Sequence, residues 1–182
     1  MADYVGGDRL AFDKLFAVLA PRVHGFFLRK FANAVIADDL LQITFLKIHR
    51  ARATYRLGAP VRPWVFTIAA RVRLDELRKR GRSREDAASM VVEDATESVS
   101  RRTMAGPEEI EKADLIAKVR EAIELLPESQ REVVQLHRYE GLTFDEIAKV
   151  LDTTEGAAKL RAFRAYERLR KHLAPVLQEE RK

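Results

Sequence analysis

Residues 141–154 constrain the fold of this chain more than any other segment, because they have the spacing of a helix-turn-helix. Thr143 precedes Glu146 by three residues, so each side chain can accept a hydrogen bond from the other's backbone N–H at the start of a helix. Asp152 and Thr153 predict a short turn, and Thr154 can cap a second helix. The predicted buried face of the first helix consists of Ile147, Ala148 and Leu151.

The second helix of this motif is strongly basic. Residues 159–171 contain six Lys and Arg side chains and a single acidic one, Glu167. A cationic helix at the end of a helix-turn-helix suits the major groove of duplex DNA. Helix-turn-helix patterns also arise by chance, so the interpretation depends on the charge of the rest of the chain.

The charge of the chain is distributed in three blocks. The 182 residues carry a formal net charge of +5. Residues 1–80 have 15 basic and 7 acidic side chains, residues 81–114 have 5 and 9, and residues 115–182 have 13 and 12. This distribution favours two nucleic-acid-facing units joined by an acidic spacer, although a solvated Arg-rich surface would have the same composition.

Helical periodicity extends over nearly the whole chain and no segment alternates as a strand does, which predicts an all-α fold. Four helices are predicted before an irregular acidic segment and four after it. The first two begin at Asp8 and Pro21, and the next two span residues 35–53 and 64–81. After the acidic segment, helices begin at Pro107 and Pro127, and the last two are those of the helix-turn-helix. The sequence therefore predicts two small helical bundles, residues 1–81 and 107–182, joined by a flexible acidic linker at residues 82–106.

The third predicted helix has an outer face of unusual composition. Its inward positions are apolar, and this arrangement places Asp39, Gln42, Ile43 and Leu46 together on the opposite side. Apolar side chains on a solvent face often mark a protein-binding surface. We name these four residues the docking face; the alternative is that Ile43 and Leu46 contact another helix of the same bundle.

The fourth predicted helix has a basic flank beside an apolar stripe, so it could pack on the bundle and face phosphates at once. Tyr55 and Phe66 flank an irregular segment at residues 54–63, and aromatic rings beside cationic groups can stack on an unpaired base. We assign Trp64, at the start of this helix, to the core. The basic flank consists of Arg71, Arg73, Arg78, Lys79 and Arg80.

The sequence gives little support to catalysis or cofactor binding. The four histidines lie on different predicted helices without metal-ligand spacing, and no glycine loop of the phosphate-cradling type occurs. We therefore expect no metal, no cofactor and no enzymatic activity. Because the chain has no cysteine, no signal-peptide pattern and no apolar run of membrane-span length, we expect a cytoplasmic protein without membrane insertion.

Four segments, in the same order along the chain, resemble those of bacterial RNA polymerase sigma factors. Residues 37–47 (ADDLLQITFLK) are similar to the family's core-binding helix AEDLVQETFLK, and residues 62–69 (RPWVFTIA) to its RPWLYRIA segment. Residues 126–133 (LPESQREV) and 139–143 (YEGLT) resemble the LPxxxREV and YEGLSYEEIA stretches before the second DNA-binding helix. The short two-domain layout is similar to that of the extracytoplasmic-function (ECF) class.

This resemblance implies an alternative sigma factor that binds core RNA polymerase and directs promoter-specific transcription initiation. The first domain would bind the clamp helices of the largest subunit through the docking face and melt the −10 promoter element. A flipped base would be received by the loop at residues 55–62 and by Arg71. The second domain would read the −35 element as duplex DNA and contact the polymerase flap, and an anti-sigma factor is implied as a further partner.

The resemblance also implies particular residues for each promoter element. The residues assigned to the −10 element are Tyr55, Arg56, Arg62, Thr67, Arg71 and Arg78. The residues assigned to the −35 element are Lys159, Leu160, Arg161, Phe163 and Arg164.

Several positions depart from the family pattern. Ile43 replaces the usual Glu on the docking face. Arg71 stands where Asn is frequent, and Arg only donates hydrogen bonds whereas Asn also accepts them. Leu160 replaces a small polar residue, and Asp152 replaces the expected turn glycine. These departures predict an inherited binding mode with base preferences particular to this chain.

Two other classes of protein are compatible with parts of the pattern. A dimeric helix-turn-helix repressor or activator would share the C-terminal motif but would bind a palindromic site without polymerase. A helical adaptor with a basic solvated face would bind DNA without a steep salt dependence. Neither class accounts for the ordered motifs of the first domain.

Overall fold

The computed structural model describes residues 1–87 and 107–179, with side-chain environments for residues 1–82 and 113–175. Its regular structure is helical throughout the described residues, which confirms the all-α prediction. The chain divides into two compact units. The first contains α1 (Ala2–Val5), α2 (Arg9–Phe31), α3 (Ala34–Ala51), a 3₁₀ turn (Arg52–Thr54) and α4 (Val61–Ala87). The second contains α5 (Pro107–Glu124), α6 (Glu128–Arg138), most of α7 (Phe144–Val150) and α8 (Glu155–Glu179).

The first two predicted helices are a single helix in the structure. Asp8 caps α2 by accepting a hydrogen bond from the Leu10 N–H at 2.8 Å, and the helix then runs through Pro21 to Phe31. The prediction that Pro21 opens a new helix is therefore wrong. Pro21 lies on the solvent side, and buried residues on both sides of it, Ala20 and Val23, pack as one continuous stripe. Tertiary packing of that stripe outweighs the local preference of proline to break a helix.

The fourth helix is longer at both ends than the sequence predicts. It begins at Val61 and includes Pro63, which is tolerated because the first turn of a helix has no internal partner for its N–H groups. It continues past Gly81 to Ala87, since a single glycine within a helix costs only about 1 kcal/mol. The predicted linker begins inside this helix, and its residues 88–106 lie outside the described residues.

The core of the first unit is aromatic and aligns α3 against α2 and α4. Phe26, Phe27 and Phe66 are completely buried, and the Phe26 ring meets each of the other two edge-on with centroids 5.6 Å apart. Ala32 ends α2 in the left-handed conformation, and Asn33 then caps α3 by accepting the Ile36 N–H at 3.1 Å. On α3, Phe45 is buried with its ring 4.6 Å from the Phe16 ring of α2, so this contact helps to decide which residues of α3 face solvent.

The second unit is built around α8, which packs against α5 and α6. Leu126, Val134 and Ala165 form a buried cluster, and Tyr166 and Leu169 of α8 pack against it. Arg131 donates to the backbone carbonyls of Glu124 and Leu126 and so satisfies the C-terminal end of α5. This packing holds α8, the second helix of the helix-turn-helix, against α5 and α6.

Candidate polymerase and nucleic-acid interfaces

The docking face is exposed in the structure. Ile43 and Leu46 retain 42% and 49% of their accessible surface, and Asp39 and Gln42 beside them are also exposed. The opposite side of α3 is buried, and the Thr44 hydroxyl in that core donates to the Leu40 carbonyl at 2.7 Å. The alternative prediction, in which a helix of the same bundle covers Ile43 and Leu46, is wrong for the described part of the chain.

Tyr55 is buried, which corrects the prediction that its ring forms an exposed stacking platform. Its side chain is 6% exposed, its ring meets Trp64 edge-on with centroids 5.2 Å apart, and its hydroxyl donates to the Ala59 carbonyl. Phe66, the other predicted platform residue, belongs to the core. Burial of the two rings is favourable because it removes their apolar surface from water. The sequence around the loop does not show that these rings will be buried, because this depends on how the loop packs on the rest of the unit. Trp64 is half-buried and packs against the Tyr55 ring, so its assignment to the core is only partly confirmed.

The hydrogen bond from Tyr55 closes the loop between the 3₁₀ turn and α4. Gly58 in this loop has φ 85°, a backbone conformation that glycine adopts without strain. Arg56 and Leu57 are left projecting into solvent, and Leu57 is 60% exposed. Tyr55 therefore supports the loop from within, while its neighbours form the accessible surface.

The predicted basic flank of α4 is divided between solvent and core. Arg71, Arg78 and Lys79 are exposed. Arg73 is only 3% exposed, and its guanidinium lies 4.8 Å from the centre of the Phe26 ring. Arg80 is half-buried, bonds to Glu76 at 2.8 Å and lies 5.1 Å from the centre of the Phe31 ring.

The division of this flank follows from helical geometry. Positions seven residues apart lie on nearly the same face of a helix, so residues 73 and 80 both turn toward α2. The prediction that these two arginines face phosphates is wrong, because their positive charge is directed at aromatic rings. The cationic surface available to nucleic acid is correspondingly smaller than the sequence indicates.

A surface pocket of about 420 Å³ lies between α3 and α4, and we name it the Arg71 pocket. Arg71 and Ile68 of α4 line it together with Lys47, Arg50 and Ala51 of α3. Lys47 also forms an ion pair with Asp75, with 3.2 Å between Nζ and Oδ2. Neither Arg50 nor Arg71 has an ion pair or side-chain hydrogen bond among the described residues.

The sequence analysis missed Lys47 and Arg50 as functional candidates. Both are visible as basic residues on the helix that carries the docking face, but more than twenty residues separate them from Arg71. Only the packing of α3 on α4 brings the three cations to one pocket.

The other residues assigned to the −10 element do not line the pocket. Arg56, Arg62 and Arg78 are exposed. Thr67 is half-buried, and its hydroxyl donates to the Pro63 carbonyl at 2.8 Å, so this side chain stabilises the first turn of α4.

The helix-turn-helix has the local contacts that the sequence predicts. The Thr143 N–H donates to Glu146 Oε2 at 2.8 Å, and the Glu146 N–H donates to Thr143 Oγ1 at 3.3 Å. Asp152 adopts the left-handed conformation with φ 50° at the turn. Thr154 then caps α8 by accepting the Ala157 N–H at 3.2 Å. The turn geometry that glycine usually provides is thus met by aspartate.

The outer face of α8 presents most of the residues assigned to the −35 element. Ala158, Ala162 and Ala165 are buried against the rest of the unit, which turns Leu160 and Phe163 outward with 48% and 63% of their surface exposed. Lys159 and Arg164 are also exposed, whereas Arg161 is half-buried. Lys159 forms an ion pair with Glu155 at 2.7 Å. The exposed surface combines cationic and apolar groups, which suits contact with both phosphates and base edges.

Three of the four histidines have structural contacts. His24 Nε2 lies 3.2 Å from Asp38, and His49 bonds to the Tyr4 hydroxyl at 3.1 Å. His137 Nδ1 lies 2.9 Å from the Leu142 carbonyl, and its ring stacks on Phe144 with centroids 4.6 Å apart. In the described part of the chain, no group of three or more His, Asp or Glu side chains could hold a metal ion.

The pKa of Tyr166, a tyrosine of α8, differs from its ordinary value. Burial raises the pKa of Tyr166 above its usual value, although the nearby Arg138 guanidinium acts in the opposite direction. The ring of Tyr166 packs against the core cluster of the second unit, so its ionisation is coupled to the stability of that unit.

These features define a DNA-binding transcription protein: a chain of two helical units, of which the second presents a capped helix-turn-helix with an exposed recognition face. Two family matches agree with this description. Residues 15–83 match Sigma-70 region 2, and residues 116–169 match Sigma-70, region 4.

The chain is similar to curated relatives over nearly its whole length. It is 38% identical to the RNA polymerase sigma factor CarQ of Myxococcus xanthus, over 97% of each chain. It is 32% identical to the RNA polymerase sigma-H factor of Pseudomonas aeruginosa, over 95% of this chain and 91% of that one. The ECF RNA polymerase sigma factor SigD of Mycobacterium tuberculosis is 30% identical, over 93% and 80%.

Two solved structures have a similar fold. The sigma factor RpoE of Bartonella quintana, in complex with the anti-sigma factor NepR, has a TM-score of 0.71 at 22% identity and covers 90% of this chain and 97% of its own. CnrH, in complex with the cytosolic domain of CnrY, has a TM-score of 0.64 at 25% identity and covers 96% and 94%.

The chain belongs to the RNA polymerase sigma factor family, in its ECF class. It is an alternative sigma factor that directs promoter-specific transcription initiation with core RNA polymerase. Among the described residues, no helix combines the length and the apolar character needed to cross a bilayer.

Proposed function

We propose a division of this activity between the two ends of the chain. Residues 1–81 bind core polymerase and hold the melted −10 element, residues 107–182 read the −35 element, and residues 82–106 connect them. The polymerase supplies the chemistry of RNA synthesis, and this chain, acting in the cytoplasm, supplies promoter choice without catalysis of its own. The observation that carries the proposal is the presence of two separately exposed surfaces on α3 and α8.

The polymerase contact is proposed for the docking face. Ile43 and Leu46 form an apolar pair of moderate size on a rigid helix, flanked by the polar groups of Asp39 and Gln42. A small apolar centre with a polar rim is typical of a reversible protein interface. The clamp helices of the largest polymerase subunit are the proposed partner, and the second unit contacts the polymerase flap.

The melted −10 strand is proposed to run past the loop at residues 55–60 and into the Arg71 pocket. Arg56, Arg62 and Arg78 would contact phosphates, because they are exposed but do not line the pocket. A flipped base would enter the pocket, where Ile68 and Ala51 offer apolar surface and Lys47, Arg50 and Arg71 offer donors. Tyr55 contributes by holding the loop rather than by stacking on a base.

Recognition of the −35 element is proposed for the exposed face of α8. Leu160 and Phe163 can contact thymine methyl groups, and Lys159 and Arg164 can contact phosphates or guanine. Arg161 is also assigned here; it is half-buried, and a long side chain of this kind can keep its guanidinium at the surface while its stem is covered.

An anti-sigma factor is a further proposed partner. The CnrH structure, with which this chain shares its fold and 25% identity, contains the cytosolic domain of a second protein. A partner that covers the docking face would exclude polymerase, because both would need Ile43 and Leu46.

The proposal is tested by transcription in vitro with core RNA polymerase, the full-length chain and a library of DNA templates with randomised promoter sequences. Sequencing of the transcripts is expected to show two enriched elements at a constant spacing. A Leu46→Asp variant is expected to lose association with core enzyme, and an Arg164→Ala variant to lose selectivity only in the upstream element. Enrichment of one palindromic element that forms without polymerase would contradict the proposal and indicate a dimeric regulator.

A further inference from the structure

The Arg71 pocket contains only hydrogen-bond donors among the polar side chains that line it. Lysine and arginine donate and cannot accept, and the two remaining lining residues, Ala51 and Ile68, have apolar side chains. Lys47 donates one of its three N–H groups to Asp75, and Arg50 and Arg71 have no bonded partner among the described residues, so all three cations can still donate to a ligand. The hydrogen-bonding character of this pocket is therefore one-sided.

A base inside such a pocket is favoured when it presents acceptors to these donors. The guanidinium group is a planar fork whose two N–H groups match two adjacent acceptors. Guanine has such a pair at O6 and N7, and a flipped cytosine has one at N3 and O2. On the Watson–Crick edges of adenine and thymine, and on the N6/N7 edge of adenine, acceptors alternate with N–H donors, so a guanidinium that bonds to one acceptor meets a competing N–H group beside it. The O4 edge of thymine and the N3 edge of adenine present a single acceptor, which leaves the second N–H of the fork without a partner.

We infer that the Arg71 pocket takes up a flipped base with two adjacent acceptors, guanine or cytosine, and rejects adenine and thymine. This inference rests on the proposed function of the pocket in −10 recognition and adds the chemistry of its ligand. Lys47, Arg50 and Arg71 are all exposed, so water reaches the pocket and can satisfy the amino group of either base.

Arg71 is the residue that determines this specificity. An asparagine at the same position both donates and accepts, and it matches the N6 and N7 atoms of adenine. An Arg71→Asn variant is therefore expected to admit adenine. Because Arg71 is exposed and has no bonded partner among the described residues, this change leaves the fold intact.

The experiment uses polymerase holoenzyme formed with the full-length chain and a pool of short single-stranded DNA randomised across the −10 region. The DNA retained by holoenzyme is sequenced for the wild-type chain, for Arg71→Asn and for Arg9→Asn. Arg9 is exposed on α2 and does not line the pocket, so its replacement provides the same loss of charge as a control. For the wild-type chain we expect guanine or cytosine to be enriched about tenfold at one position. Arg71→Asn should reduce that enrichment, and Arg9→Asn should leave it unchanged.

A second arm of the experiment separates the two acceptable bases. Replacing guanine by 7-deazaguanine at the enriched position removes the N7 acceptor, so it weakens binding about tenfold if guanine is read through O6 and N7. Enrichment of cytosine at the position that responds to Arg71→Asn assigns the cytosine edge with N3 and O2 instead. Both results support the inference.

Two results would overturn the inference. They differ in whether the proposed function of the pocket is also shown to be wrong. If one position responds to Arg71→Asn but is enriched in adenine or thymine, the inference about the base is wrong while the pocket keeps its proposed function. If no position responds to Arg71→Asn although the wild-type holoenzyme selects DNA, the proposed function of the pocket is wrong as well.

Discussion

Thr143 and Glu146 cap each other's backbone at the first helix of the helix-turn-helix, with N–H donations of 2.8 Å and 3.3 Å in opposite directions. Thr143 is exposed and Glu146 is half-buried, and the contact spans only three residues, so it acts locally. It fixes the start of α7 and with it the turn that leads to α8.

Removal of this cap is expected to destabilise the second unit. Thr143→Ala should lower its free energy of unfolding by about 1 kcal/mol, because one backbone donor loses its partner. Thr143→Ser, which keeps the hydroxyl, should remain close to the wild-type value. Urea unfolding followed by circular dichroism measures both, and an equal loss in the two variants would show that the threonine methyl group, not the cap, is responsible.

If the docking face binds core polymerase, truncation of an apolar side chain on it should lower the affinity for core enzyme. Leu46→Ala should weaken association with core enzyme about tenfold, since a half-exposed leucine buried at an interface contributes about 1–2 kcal/mol. Leu10→Ala, on the 68% exposed side chain of α2, is the matched control and should leave the affinity unchanged. Fluorescence anisotropy with labelled chain and core enzyme provides the dissociation constants. Equal effects of the two variants would indicate that the interface lies elsewhere.

Arg164 and Arg168 provide a paired test of base contact on α8, because both are exposed on the same helix. Arg164→Ala should cost about 1–3 kcal/mol on the preferred −35 sequence and relax selectivity at one base position. Arg168→Ala, outside the residues assigned to that element, should weaken binding to all sequences by a similar small factor. Uniform weakening by Arg164→Ala would show that its guanidinium contacts only phosphate.

The burial of Tyr55 predicts that its hydroxyl stabilises the loop before α4. Tyr55→Phe should lower the free energy of unfolding of the first unit by about 1 kcal/mol, because the bond to the Ala59 carbonyl is lost while the ring contact with Trp64 remains. Binding of single-stranded −10 DNA by holoenzyme should fall only slightly. If Tyr55→Phe leaves stability unchanged and abolishes DNA binding, the side chain acts on DNA directly.

The raised pKa of Tyr166 predicts that the folded chain loses stability at alkaline pH. Burial raises its pKa in the folded chain, so the folded state holds the proton more tightly than the unfolded state. Its contribution is therefore complete below the ordinary tyrosine pKa near 10 and decreases as pH rises through the higher folded value. Tyr166→Phe should reduce the decline of the urea midpoint between about pH 9.5 and pH 11. An unchanged decline would assign the alkaline transition to other groups.

The elements that the sequence predicts correctly depend on short-range relations. The caps at Thr143 and Thr154 and the turn at Asp152 involve residues within three positions of one another. The outward face of α3 follows from its apolar period, since the buried residues opposite Ile43 and Leu46 are apolar except for Thr44. Such features can be read from the sequence because the partners lie on the same helix turn.

Three of the errors concern burial between segments of the chain. Pro21 continues a helix because buried residues on both sides pack on a common core. Arg73 and Arg80 face aromatic rings of α2 instead of phosphates, and Tyr55 lies beneath its loop against Trp64. None of these outcomes follows from the local pattern, because each depends on which side of a segment another helix covers.

The sequence by itself determined that this chain is an all-α sigma factor with a capped helix-turn-helix, because periodicity, capping and the order of four motifs are properties of neighbouring residues. Only the tertiary structure decided which cations reach solvent and which converge. Lys47 and Arg50 meet Arg71 because α3 packs on α4 around a buried aromatic core, and that packing is selected by the removal of apolar surface from water.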